Sequence, residues 1–376
     1  MRTRRGVTVV AVAMTAALAL AGCARDTGGG GGGAQGGAQE CTRNQPPAVS
    51  GAAAQPAPEP ARADASKLKV GLAYDIGGRG DASFNDAAAA GIDRASAQLK
   101  MPKATEATAQ PGESEDAAAS RLRQLVAGGH NPIIAVGFNY AGALKDVAAQ
   151  NPNVKFAIVD DDTVTLPNVT PLVFAEEQGS FLVGAAAALK TTTCKVGFVG
   201  GVDNPLIQKF AAGYEQGAKA VAPNIQVDAK YISPAGDTSG FNDATKGTEI
   251  AKGEYDGGSD IVFAAAGKSN QGVFSAAQTG GKQAIGVDSD QYNSPQLAQV
   301  KDVIITSMIK RVDVSVYDYI NAVAANNLTT LPKRFDLKVD GVGYSTSGGK
   351  IDDITPQLEA YKAAIIAGQI QVKSTK

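Results

Sequence analysis

Asp75 closes an apolar run, Lys69–Tyr74, and a carboxylate directly after a buried strand needs a partner or a ligand. A glycine-rich turn follows (Gly77, Gly78, Gly80) and leads into Asp81-Ala82-Ser83-Phe84-Asn85 at a helix start. A polar loop carrying one aromatic ring has the composition of a binding loop. Phe84 could equally staple the helix to the core, and Asn85 could be a solvated first-turn residue. Asp160, Asp161 and Asp162 form a second acidic spot after an apolar run. Consecutive residues of an extended segment point to alternate sides, so the expectation is one inward carboxylate on a solvated loop rather than a shared cation site. Phe210 and Tyr214 are spaced four apart on a helix; the plain reading packs both in the core, and the alternative sets a ring opposite Phe84 across a flat ligand. Asp288 and Lys310 each lie at the end of an apolar run. They offer an acceptor and a donor for a vicinal diol, or an ordinary salt bridge. Residues 197–201 look like a phosphate-cradling loop but lack the lysine and the full glycine spacing, so they read as strand and turn.

Composition removes several classes. The single histidine, His130, would have to serve any Ser-His-Asp triad, and a multi-histidine metal site cannot be built. Thirty-five Lys and Arg nearly balance 37 Asp and Glu, so no net field favours nucleic acid. The expectation is a chain with no cofactor, no metal and no catalytic residue.

The elements that must position these residues alternate. Strand-like runs occur at Lys69–Tyr74, Ile133–Val136, Val154–Val159, Val196–Val199, Ile225–Tyr231, Ile261–Ala265, Ala284–Val287 and Val303–Ser307. Helical segments read at Phe84–Leu99, Asp116–Ala127, Glu176–Leu189, Pro205–Val221, Asp243–Lys252 and Asn270–Gln278. Ser83 with Asp86 fits a capping box, and Glu176-Glu177 put acid on a first turn. Such alternation predicts an α/β, doubly wound fold, whose ligands bind beyond the carboxyl ends of the strands. Residues following Tyr74, Val136, Val159, Val199, Ala265 and Val287 are therefore the candidates for a site.

The front of the chain reads as a secretion signal, residues 1–22, with Arg2, Arg4 and Arg5 before an apolar run of about 14 residues, too short to span a hydrocarbon core of roughly 30 Å. Leu20-Ala21-Gly22-Cys23 resembles a bacterial lipobox, whose cysteine is lipidated and becomes the first residue. Residues 24–66, with six consecutive glycines and a later proline-rich stretch, read as a spacer of roughly 35–40 Å if it behaves as a coil. Cys41 and Cys194 remain. A disulfide and two free thiols both stay open, because nothing in the sequence sets Cys41 near Cys194. Residues 67–376 suffice for two medium domains.

Six motifs carry a resemblance. Asp75-Ile-Gly-Gly-Arg-Gly-Asp-Ala-Ser-Phe-Asn85, Phe174-Ala-Glu-Glu-Gln-Gly-Ser-Phe-Leu-Val-Gly184, Val196-Gly-Phe-Val-Gly-Gly201, Phe210-Ala-Ala-Gly-Tyr-Glu-Gln-Gly217, Gly286-Val-Asp-Ser-Asp-Gln291 and Thr306-Ser-Met-Ile-Lys-Arg-Val312 stand in order along the chain. Together they resemble the basic membrane protein family, the purine-nucleoside-receptor-like substrate-binding lipoproteins of ABC transporters. The resemblance implies a type I periplasmic-binding-protein fold of two doubly wound lobes joined by three crossovers. It divides the chain into an N-terminal lobe (67–175 and 289–320) and a C-terminal lobe (176–288 and 321–376). It implies that Phe84 and Phe210 stack on a purine, that Asp75, Asn85 and Asp160 bond base or sugar edges, that Gly267 borders the site, and that Asp288 with Lys310 holds ribose hydroxyls. Gly267-Lys268-Ser269-Asn270 departs from the glycine- and threonine-rich turn expected there.

The implied function is capture of a nucleoside, a purine one, by a monomer anchored through Cys23 on the extracytoplasmic face of the cell membrane, and delivery to ABC permease subunits. The rival readings are a sugar or signalling-ligand receptor on the same fold, a nucleoside hydrolase, and a structural surface lipoprotein.

Overall fold

The computed structural model describes residues 41–48 and 61–375. The signal segment, Cys23 and most of the spacer lie outside the described residues.

The first lobe is a five-stranded parallel sheet built from β1 (Gly71–Tyr74), β2 (Thr105–Thr108), β3 (Ile133–Val136), β4 (Phe156–Val159) and β5 (Val169–Leu172), in the order β2-β1-β3-β4-β5. Helices α1 (Phe84–Gln98), α2 (Glu115–Ala127) and α3 (Ala141–Gln150) connect the strands. β1, β3 and β4 are buried at every position, as an unbroken apolar run demands of a sheet covered on both faces. β2 and β5 are not legible as apolar runs because they are edge strands: β2 is Thr-Glu-Ala-Thr, and β5 contains Pro171, which an edge tolerates.

The second lobe begins with α4 (Glu176–Lys190) and continues through β6 (Lys195–Val202), α5 (Pro205–Val221), β7 (Gln226–Ser233), α6 (Ala244–Asp256), β8 (Ile261–Ala265), α7 (Asn270–Thr279), β9 (Gln283–Asp288) and β10 (Ile304–Lys310). The chain then returns to the first lobe as α8 (Val312–Ala324), which packs on α1 with the Arg94 guanidinium 4.0 Å from the Tyr317 ring centroid. It crosses back to end as β11 (Val342–Tyr344) and α9 (Thr355–Ile366). The six-stranded sheet runs β11-β10-β9-β8-β6-β7, parallel except for β11. Among the described residues, three chain crossings thus join the lobes. Two of them lie side by side, with the Phe174 and Phe335 rings stacked 5.2 Å apart.

One boundary differs from expectation. Residues 289–310 do not join the first lobe, because β10 takes its hydrogen bonds from β9 and β11; the crossing comes at Arg311, and only α8 belongs to the first lobe. Apolar runs do not say which sheet they enter.

Glycines draw α4 and α5 together. A Cβ on Gly213 or Gly217 would overlap the carbonyls of Glu177 and Phe181. The motif around Phe210 is therefore partly a packing motif.

The N-terminal segment is fastened twice. Cys41 is disulfide-bonded to Cys194, and Arg43 donates to the Ala188 and Thr191 carbonyls at the end of α4 (3.1 and 2.7 Å). Residues 61–65 lie instead on the first lobe, where Asn321 brackets Ala61 and Ala63.

Candidate ligand-binding site

The carboxyl ends of β1, β3 and β4 face those of β8, β9 and β10 across one cleft. All eight residues expected at the site border it: Asp75, Phe84, Asn85, Asp160, Phe210, Gly267, Asp288 and Lys310.

Asp75 is buried at the end of β1. Its carboxylate accepts from the Ile76 amide (2.8 Å) and from Asn139 Nδ2 (3.2 and 3.3 Å). Gly137, with φ +108°, lets that carboxylate lie against the backbone; a Cβ there would overlap it. Burial pushes the Asp75 carboxyl up to about 6; the Ile76 and Asn139 bonds oppose this, and the charges of Asp160 and Glu113 add to it.

The capping box expected at Ser83 and Asp86 is not formed, since Ser83 makes no cap bond. Asp81 fills that place, accepting from the amides of Ser83, Asn85 and Asp86. An acid two residues upstream reaches three orphan amides where a serine reaches one. Freed from capping, Ser83 Oγ crosses to the other lobe and donates to Asp288 Oδ2 at 2.7 Å. Asn85 is a brace: its amide donates to the Ile76 carbonyl and to Asp81, and its oxygen accepts from the Asp75 amide at 3.0 Å.

Asp160 and Asp288 both carry left-handed backbone, φ +69° and +64°, which is uncommon away from glycine and concentrates at functional sites. Asp160 is the one inward acid of its triplet, while Asp161 bonds Thr163. Lys310 is 2% exposed and pairs with Asp160 Oδ2 at 2.5 Å, not with Asp288 as the salt-bridge alternative has it. Asp160 Oδ1 is buried with no hydrogen-bond partner among the described residues. Burial alone would lower the Lys310 pKa, but Asp160, Glu176 and Asp288 outweigh it and hold the ammonium charged. Burial raises the Asp288 carboxyl against the pull of Lys310 and Ser83.

Three rings surround the ammonium, with centroids 4.9 Å (Phe84), 5.2 Å (Phe174) and 5.5 Å (Phe210) from Nζ. Phe84 comes from the first lobe and Phe210 from the second. Tyr214 takes the plain reading, buried against Phe263 with ring centroids 5.3 Å apart. Phe138 and Phe241, one from each lobe and neither among the expected site residues, meet edge-on at 6.4 Å and also line the cleft. Phe138 lies two residues beyond β3, where the strand-end rule looks; Phe241 sits in a turn with no such signal. Lys268 does not line the cleft.

The combination of a two-lobed cleft, aromatic rings from both lobes and buried polar ends suits a flat ligand with hydroxyl or N–H donors. Residues 67–376 match the family described as ABC transporter substrate-binding protein PnrA-like (Bmp). The chain belongs to this family. Among its relatives, the CD4+ T-cell-stimulating antigen of Listeria monocytogenes is 36% identical over 317 residues, covering 81% of this chain and 87% of that protein. The ABC transporter nucleoside-binding protein BmpA of Lactococcus lactis is 31% identical over 331 residues, covering 82% and 89%. A solved ABC transporter solute-binding protein from Aeropyrum pernix superposes with a TM-score of 0.69 at 26% identity, covering 82% of this chain and 94% of that one. PnrA-like proteins bind small ligands outside the cytoplasm and work with permease subunits. In this PnrA-like chain the cleft between the lobes, with its crossings at one side, has the form such work requires.

Proposed function

We propose that the chain captures a nucleoside, purine in preference to pyrimidine, between its two lobes and passes it unchanged to an ABC permease, as a monomer lipidated at Cys23. The observation that carries this reading is that Phe84 and Phe210, one from each lobe, both lie against the Lys310 ammonium, which pairs with Asp160. A planar base gains from stacking on such rings, and a larger purine gains more. Asp75, Asp288, Lys310 and the free oxygen of Asp160 supply acceptors and a donor for base edges and ribose hydroxyls, while Asn85 and Gly267 shape the walls. The name of the Lactococcus relative supports the ligand class, and Leu20-Ala21-Gly22-Cys23 supports the anchor. These groups recognise; none is poised as a nucleophile.

The test is thermal unfolding of the chain from Ala24 onward, which retains Cys41, against purine and pyrimidine nucleosides, free bases and sugars. A nucleoside at a hundred times its dissociation constant should add roughly 2.7 kcal/mol. A shift with sugars alone would replace this reading with a sugar receptor, and release of free base during incubation would replace it with a hydrolase.

A further inference from the structure

Glu176 opens α4, directly after the first crossing between lobes, and its carboxylate is 1% exposed. Neither of its oxygens has a hydrogen-bond partner among the described residues. More than a first-turn acid, it lies behind the site, 3.8 Å from Lys310 Nζ, and does not border the cleft. Three charged groups act on it: Lys310 from β10, Asp160 from beyond β4, and the half-buried Lys209 from α5 at 3.7 Å. Its neighbour Glu177 is taken by Arg334 at 2.6 Å. One fully buried ammonium is thus shared by Asp160 and Glu176, with Asp288 in its field.

We propose that Glu176 is a positioning residue for Lys310, and that it releases a proton to solvent when a ligand donor engages the free oxygen of Asp160. Burial raises the Glu176 carboxyl to about 7, with Lys310 and Lys209 opposing and Asp160 adding to the rise. A ligand N–H or O–H on Asp160 Oδ1 weakens that added repulsion. Glu176 then ionises more readily and holds the ammonium from behind while Asp160 serves the ligand. Release of a proton on binding means that affinity rises as pH climbs through 7. Burial pushes the Asp75 carboxyl up to about 6, so any step from it lies below that of Glu176.

The choice of ligand rests on the nucleoside reading; the role of Glu176 does not, and the two are tested apart. In the ligand-free protein, the nitrogen resonance of Lys310 should step near pH 7 and lose that step in Glu176→Gln. Glu176→Asp, which keeps the charge, should retain it. With inosine as probe, calorimetry at pH 7 in buffers of different ionisation enthalpy should show up to about half a proton released per ligand. Glu176→Gln should release almost none, and its affinity should lose its slope between pH 6.5 and 8. A purely structural Glu176 would lower the melting temperature and leave the step and the proton count unchanged, which would overturn the proposal. A Lys310 step present in the wild type and absent in Glu176→Gln, with no inosine binding, would keep Glu176 as the positioning residue and remove the nucleoside.

Discussion

Lys310→Met keeps the length of the side chain and deletes the ammonium from a site that is 2% exposed. It leaves Asp160 without its partner at 2.5 Å and Glu176 without its partner at 3.8 Å. Removing one member of a buried ion pair costs about 3–5 kcal/mol, because the remaining charge is uncompensated. Glu176 and Asp288 can escape by binding protons. Burial already holds Glu176 at about 7 and raises Asp288, and Lys310 pulls both down, so its loss lifts them further. An acid raised in the folded state binds its proton more tightly there than in the unfolded chain. Its contribution to stability is therefore greatest below the unfolded value, 4.5 for Glu176, and is lost as pH rises through the folded value. The deficit of the variant should be smallest near pH 5 and reach the full 3–5 kcal/mol at pH 8. Urea unfolding followed by circular dichroism at pH 5, 6.5 and 8 measures it, since the chain has no tryptophan. A deficit below about 1 kcal/mol at every pH, or one that grows toward acid, would refute the picture of a lysine neutralising buried carboxylates.

Three further outcomes are expected. Phe84→Ala should weaken nucleoside binding by about 1–3 kcal/mol while the thermal transition of the free protein moves little; unchanged affinity in calorimetry would remove Phe84 from the stacking role. Cys41→Ser opens a bond that spans 153 residues, at the opposite end of β6 from the cleft, and should cost about 2–5 kcal/mol of stability with ligand affinity intact. A single protease cut between residues 49 and 60 should leave the two pieces joined on a gel until reductant is added; separation without reductant would count against the bond.

The interior of each lobe could be read from apolar runs alone. β1, β3, β4 and β8 are buried throughout and stand where those runs predict, and Pro205–Val221 matches α5 at both ends. Asn204 caps that helix and Pro205 opens it, both local signals. The edge strands β2, β5 and β11 were hidden because an edge is polar, short or proline-bearing. The helices α3, α8 and α9 have no side-chain cap bond, although Pro356 in the first turn of α9 is a local start signal of the kind Pro205 gives α5.

The sequence by itself determined the residue types of the site and the strand ends that bear them, because a polar residue after a buried run has few places to go. It could not decide partners that lie far apart along the chain. Lys310 stands equally open to Asp288 and Asp160 in sequence, and only the docking of one lobe on the other gives it to Asp160. The same docking brings Ser83 to Asp288, whereas Glu176 reaches Lys310, and β10 enters its sheet, by packing within the second lobe. Cys41 and Cys194 join for a similar reason, since the Arg43 bonds to the end of α4 hold the segment beside β6. Local pattern selects elements through hydrogen bonds a few residues apart; pairing across lobes depends on contacts 100 or more residues apart, which no local spacing encodes.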